Sequence, residues 1–426
     1  MRPKTGPSEP VPHDHSHLEN SLSTPPTDLP AVDGQRVRLY STEFTVDPHG
    51  AYREMRERYG SLVPVELAPG VPATLVIGYR TALSILNDPE RFPVDPRAWE
   101  ASVAPDCPVL PVFRWRPNAS RNSGHVHERL RQATSAAVDA VDMHAVIAVV
   151  ERTAIPLING FCAEGSADLV AQYAFPLVYT VVNTLLGCPP DISAKAAAAT
   201  ASIFDGVQAA DGERAFEDAV RELVEYKRAH PGADLTTALL GHAVQLDDDE
   251  ILHQVLSFYG VGMEPVQGLI INALRLMLTD DRFSGIVGGS LSTRDAIDDV
   301  LFTDPPLPNA SVVYPRQPIL LDDVWLPAHQ PVVISLAGCN DDPEISAGDH
   351  AGNRAHLAWG AGPHSCPARS LGYVIAQCAV DQLLDALPDL RPAVPAAELR
   401  WRPGPMHRTL AELPVTFEPS PPLRVL

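Results

Sequence analysis

Read for the spacing of its apolar positions, the chain opens on polar sequence, then shows a helix and two short strands. Beyond residue 137 it turns almost wholly helical. Residues 1–35 are rich in Pro, Ser, His and acidic side chains and have little to bury, so we expect a flexible tail there. Residues 36–426 are left as one folded unit. The stretch DPHGAYREMRERY, Asp47 to Tyr59, has the amphipathic period of a helix. LVPVEL and ATLVIG follow as strands with Pro and Gly between them, then TALSILNDPERF as a second helix ending at a turn. Residues 97–122 are irregular and rich in Pro and Arg. Between residues 137 and 280 three stretches carry helical periodicity: ADLVAQYAFPLVYTVVNTLLG, FEDAVRELVEYKRA and ILHQVLSFYGVGMEPVQGLIINALRLML. The last is apolar on most faces, which predicts a helix buried on all sides at the centre of a large fold. The fold class is mainly α with a few small sheets.

Composition narrows the function. At 426 residues and 45% apolar side chains the chain can bury a substantial core, and 43 prolines imply many loops and interrupted helices. Fifty-three acidic against 32 basic residues give a net charge of −21, which argues against nucleic acid or an anionic membrane as principal partner. A local basic patch for an acidic electron donor remains compatible with that balance. Six cysteines show no paired or metal-finger spacing, so a reducing cytoplasm is the expected compartment. The N-terminal sequence resembles neither a signal peptide nor a membrane anchor. His13 and His15 in the tail read as solvated side chains rather than metal ligands.

The candidate chemistry centres on residues 356–369, HLAWGAGPHSCPAR. Trp359 is followed by Gly360 and Gly362, which let the backbone turn tightly and approach a flat ligand. Cys366 then lies at the start of a segment that reads as helix, where the positive end of the helix dipole favours a thiolate. A thiolate on a tight loop is what a haem iron takes as a strong axial ligand. The bland alternative is a buried, inert cysteine. His127 and Arg131 are four apart on one predicted helix face and can clamp an anionic group together, or else form a solvated surface pair.

The Cys366 stretch closely resembles the haem-binding loop of the cytochrome P-450 family, with Ala368 where that family usually has glycine. The resemblance runs from about residue 37 to 418 and implies one large helical domain, with haem b between the central helix and the Cys366 loop. It assigns Cys366 as the iron ligand and Trp359, Gly360 and Gly262 to the haem surroundings. His127, Arg131 and His364 become propionate contacts. A further family arginine falls at Val313 by register, with Arg316 nearby. In the central helix the family carries an acid followed by an alcohol, which relay protons to bound oxygen. Here Glu264 matches the acid, but the next position is Pro265, which breaks the helical ladder, and Gln267 or ordered water is expected to support Glu264. A kinked core helix with a capped Glu264 is the plain alternative. The family's Glu-x-x-Arg pair is also altered: Asp299 is followed by Phe302, so a different fastening is expected, by Phe302 packing and an arginine such as Arg354. The segment from Arg402 to Val415 resembles the family's last hairpin and puts Met406, His407 and Thr409 in the substrate pocket.

The resemblance implies a monomeric oxidoreductase using O2 and two electrons from a ferredoxin and its reductase. At subgroup level the chain is similar to actinobacterial members that couple aromatic rings of peptides or cyclodipeptides. A hydroxylase of a secondary metabolite is the alternative, and a haem-binding protein with little turnover the third.

Overall fold

The computed structural model describes residues 36–205, 209–283, 291–346 and 353–424; the expected tail with His13 and His15 lies outside them. Among the described residues ten short strands form three sheets. β1 (Val37–Arg38), β2 (Leu62–Ala68), β3 (Val71–Val76), β5 (Ser311–Val313) and β8 (Val332–Ile334) make one sheet in the order β1-β2-β3-β8-β5. β4 (Ser166–Asp168), β9 (Arg391–Pro392) and β10 (Pro414–Thr416) make a second in the order β4-β10-β9, while β6 (Ile319–Leu321) and β7 (Val324–Leu326) form a hairpin. Helices make up most of the remainder. Among the described residues no single helix is long and apolar enough to cross a membrane.

The opening elements follow the apolar pattern. Helix Pro48–Tyr59 is capped by Asp47, whose side chain accepts the Gly50 N–H at 2.8 Å, and it carries Pro in its first turn, where no N–H is missed. β2 and β3 pair antiparallel from Leu62 opposite Val76. The next helix runs only over Tyr79–Leu86: Asn87 caps it, and the expected extension to Phe92 is turn. Two four-residue helices and a short 3-10 turn interrupt the irregular 97–122 stretch. The predicted helix beginning near Ala167 opens instead on β4 and a wide turn at Val170–Ala174, and becomes α-helical at Phe175–Leu185. Strand pairing to β10 overrides the helical period there.

The central helix, Asp248–Thr279, starts on a capping box. Asp247 accepts the Glu250 N–H at 2.8 Å and the Glu250 carboxylate accepts the Asp247 N–H at 3.0 Å. Residues 268–274 are buried on all sides, with Ile270, Ile271, Ala273 and Leu274 fully enclosed, while the last turn from Arg275 to Thr279 is partly exposed. Its middle corrects the expectation of burial throughout. Residues 260–265 are partly or fully exposed, and a Cβ on Gly260 or Gly262 would meet nothing within 4 Å. The helix continues through Pro265, whose missing N–H leaves the Val261 carbonyl without its helical donor on this open stretch.

Candidate active site

The Cys366 loop is held by its own backbone. The Cys366 N–H donates to the Trp359 carbonyl at 2.7 Å, Gly360 N–H to Leu357 at 2.7 Å and Ser365 N–H to Gly362 at 3.1 Å. Gly360 and Gly362 sit at φ +68° and +67°, and a Cβ on Gly362 would come within 2.2 Å of the Leu86 carbonyl oxygen, so both turns need glycine. The helix Arg369–Ala386 begins three residues after Cys366. Burial pushes the Cys366 thiol up, against the Ala368 N–H, Arg131 and Arg369, which favour the thiolate. Burial is the larger effect in the protein by itself; a coordinated cation is what makes such a thiol ionise outright. The Trp359 ring packs beside Gly372, where a Cβ would lie 3.4 Å from the indole and 3.5 Å from Val266. Trp359 therefore sets the spacing between this helix and the central one, one turn beyond Gly262.

Facing the loop is the helix Gly124–Asp139, fixed to the central helix at two points. Arg129 is ion-paired with Glu250, and Gln254 Nε2 donates to the Leu130 carbonyl at 3.1 Å. This anchoring aims His127 and Arg131 at the Cys366 loop. The His127 and His364 rings stack with centroids 3.9 Å apart, and Arg131 donates to the Ser365 carbonyl. His127 Nε2 and His364 Nε2 are buried and have no hydrogen-bond partner in the protein. Burial and neighbouring bases hold both imidazoles below their usual range, His364 down to about 3. Among the described residues no carboxylate pairs with Arg131. Two neutral imidazoles and a guanidinium with no carboxylate partner, beside a half-buried thiol, fit a haem with two carboxylate arms. At the register of the missing family arginine, Val313 is buried in β5, and nearby Arg316 is exposed, its N–H on the Arg91 carbonyl. Strand pairing to β8 turns that position into the sheet core.

Where the acid–arginine pair is altered, Arg354 pairs with Asp298 at 3.3 Å, and Asp298 also accepts from the Tyr373 hydroxyl at 3.0 Å. Asp299 pairs with Arg282 at 2.8 Å. Phe302 is fully buried, as expected of a packing residue. The sequence reading missed Asn340. Its amide donates to the Leu301 and Phe302 carbonyls at 3.1 and 3.0 Å, and its oxygen accepts the Leu357 N–H at 2.7 Å. One buried amide thus ties the end of helix Thr293–Thr303 to the start of the Cys366 loop.

The C-terminal hairpin closes on the other side. Trp401 pairs with Leu410, and the Arg402 N–H donates to the Thr409 carbonyl at 3.0 Å. Arg402 Nη1 donates to Glu264 Oε1 at 2.8 Å, and His407 Nδ1 lies 3.9 Å from the same oxygen. Glu264 is therefore held by the hairpin. Gln267, expected to support it, makes no side-chain hydrogen bond among the described residues. Arg402 was legible only as one charge in a hairpin tip. Thr409 is buried against Gly268, and Met406 packs against the core around β2 and β3. At the hairpin's base Asp304 binds Arg408 and Arg275, each at 3.1 Å, and His49 at 3.4 Å, with Arg408 lying 3.6 Å over the Trp401 ring.

No protein-family model matches the chain. It is 29% identical over 390 residues to cytochrome P-450 monooxygenase PikC of Streptomyces venezuelae, covering 88% of this chain and 92% of that enzyme. It is 27% identical over 403 residues to 6-deoxyerythronolide B hydroxylase of Saccharopolyspora erythraea, covering 89% and 98%. A solved testosterone-bound cytochrome P-450 of Streptomyces sp. ATCC 11861 superimposes with a TM-score of 0.80 at 26% identity, covering 90% of this chain and 98% of that one.

Proposed function

The chain belongs to the cytochrome P-450 monooxygenases, whose haem is held by a cysteine thiolate, and on that premise we propose that it hydroxylates a small secondary metabolite. The observation that carries this reading is the basic cradle of His127, His364 and Arg131 packed on the Cys366 loop. In it, Cys366 holds the iron and the three bases receive the propionates. Haem with a thiolate ligand supplies oxygen activation with two electrons delivered from outside. Gly260 and Gly262 leave space for a small gas molecule, and Glu264 carries protons at its carboxylate. A ferredoxin and its reductase are the proposed electron donors. The relatives include a hydroxylase of 6-deoxyerythronolide B, which supports hydroxylation over the aromatic coupling expected from subgroup similarity.

Coupling stands as the second reading on one observation: Pro265 sits where the relay alcohol is expected, so no hydroxyl follows Glu264. Product masses separate the two. With surrogate redox partners, gain of one oxygen supports hydroxylation, and loss of two hydrogens, within one molecule or on joining two, supports coupling. Absence of ligand-stimulated NADPH use across a broad panel supports haem binding without turnover. Cys366→Ser should abolish the reduced carbon-monoxide band typical of thiolate ligation; a variant that keeps the band refutes Cys366 as the ligand.

A further inference from the structure

We propose that His407 carries protons into the pocket beside Gly262, taking them from a small cavity beneath the C-terminal hairpin and passing them to Glu264. The inference rests on the haem-thiolate reading. It starts from the central helix, where Glu264, Gly268 and Asn272 fall at successive i, i+4 positions on one face and meet the hairpin. At the first position, Glu264 faces Arg402 and His407. At the second, Gly268 admits Thr409 and Pro306, so the hairpin lies directly on the helix. At the third, Asn272 donates to the Arg408 and Asp304 carbonyls at 2.8 and 3.0 Å.

This seam is rich in polar atoms that the protein leaves unpaired. His407 Nε2, Thr409 Oγ1 and Asn272 Oδ1 are buried without a hydrogen-bond partner in the protein. Thr409 is 2% exposed and Asn272 0%. His407 also lines a cavity of about 20 Å³, to which Arg402, His49, Asp304 and Asn309 contribute polar groups among apolar neighbours such as Tyr52 and Pro305. That is room for one water, with polar groups to hold it. The His407 Nδ1 lies 3.9 Å from the Glu264 carboxylate. The gap exceeds a direct hydrogen bond, and a small ring rotation or one bridging water spans it.

The charges around the ring favour Glu264 as the acceptor. Of the groups near it, Arg402 and Arg408 come from the hairpin, Glu264 and Arg275 from the central helix, His49 from helix Pro48–Tyr59, and Asp304 from the end of helix Thr293–Thr303. Asp304 is already engaged by three bases, whereas Glu264 is engaged by Arg402 alone at hydrogen-bond distance. Burial first, then Arg402, hold the His407 imidazole below its usual range, and Glu264 opposes them. Such a ring is neutral at rest and gives up an acquired proton readily. It accepts a proton at Nε2 from cavity water that is itself reprotonated from bulk solvent, releases the one at Nδ1 to the Glu264 carboxylate, and a ring flip restores the starting tautomer. Glu264 then discharges on the pocket side. This route needs no alcohol at residue 265.

The test has one readout independent of turnover. In the ferric holoprotein, nitrogen-labelled histidine NMR should show the His407 titration midpoint falling in Glu264→Gln, because the carboxylate that raises it is gone. An unchanged midpoint overturns the pairing. In His407→Gln, peroxide released per NADPH should rise about tenfold or more while haem content and the carbon-monoxide band stay normal. An unchanged peroxide fraction with a normal band overturns the relay alone. A wild-type protein lacking the thiolate band overturns the functional reading and the relay with it.

Discussion

Asp304→Asn is predicted to be the most damaging single polar substitution in the C-terminal half. The Asp304 carboxylate is the common acceptor for Arg408, Arg275 and His49, at 3.1, 3.1 and 3.4 Å. All of these are substantially buried: side-chain exposure is 14% for Asp304, 11% for Arg408 and 21% for Arg275. With charge centres roughly 4 Å apart and an effective dielectric near 20, each arginine contributes about 4 kcal/mol of gross attraction, largely offset by desolvation. Neutralising the shared acid leaves two guanidiniums buried together with no counter-charge, so we expect a loss of about 3–5 kcal/mol. Opposite charges and the His49 hydrogen bond overcome burial and hold Asp304 well below the usual carboxylate range. Its contribution is therefore complete above the unfolded carboxyl pKa of about 4 and is lost only as pH falls through the lower folded value. The gap between wild type and variant should then be constant from about pH 5 to pH 8 and close only in stronger acid. Urea unfolding of the holoprotein followed by tryptophan fluorescence measures it, with limited proteolysis of the hairpin as a local readout. A loss below about 1 kcal/mol at neutral pH would refute the reasoning, since that is the size of an ordinary exposed pair.

Other tests address the haem side. Arg131→Leu and His127→Leu should each weaken haem retention by about tenfold or more, as loss of a hydrogen bond to a charged group does, measured as haem transfer to an apo-acceptor. Equal retention in both would show that the cradle does not face the propionates. Asn340→Ala removes three hydrogen bonds from a fully buried amide and should cost about 3 kcal/mol, with the Cys366 loop loosening first in hydrogen exchange at Leu357. Wild-type protection at Leu357 in that variant would rule out Asn340 as the clasp.

Local chemistry was legible from residue order alone. The Cys366 loop was readable because its function needs backbone freedom at Gly360 and Gly362 and a thiol at a fixed offset, which are properties of neighbours in sequence. The His127 and Arg131 pair was readable for the same reason, since four residues make one helical turn. Helix periods placed the central helix to within a few residues of Asp248 and Thr279. What the order could not contain was pairing across the chain. Asp298 rather than Asp299 meets Arg354 because helix phase and the Cys366 loop together decide which acid faces it. Val313 is a core strand residue because β8 pairs with it, and β4 replaces a helical turn because β10 does. Arg402 and Glu264, 138 residues apart, become partners only when the hairpin closes over the central helix. Residue order alone carries the Cys366 loop and most of the helices. Which distant side chains hold them follows from the folded chain, because ion pairs and strand ladders depend on distance in space and carry no period along the chain.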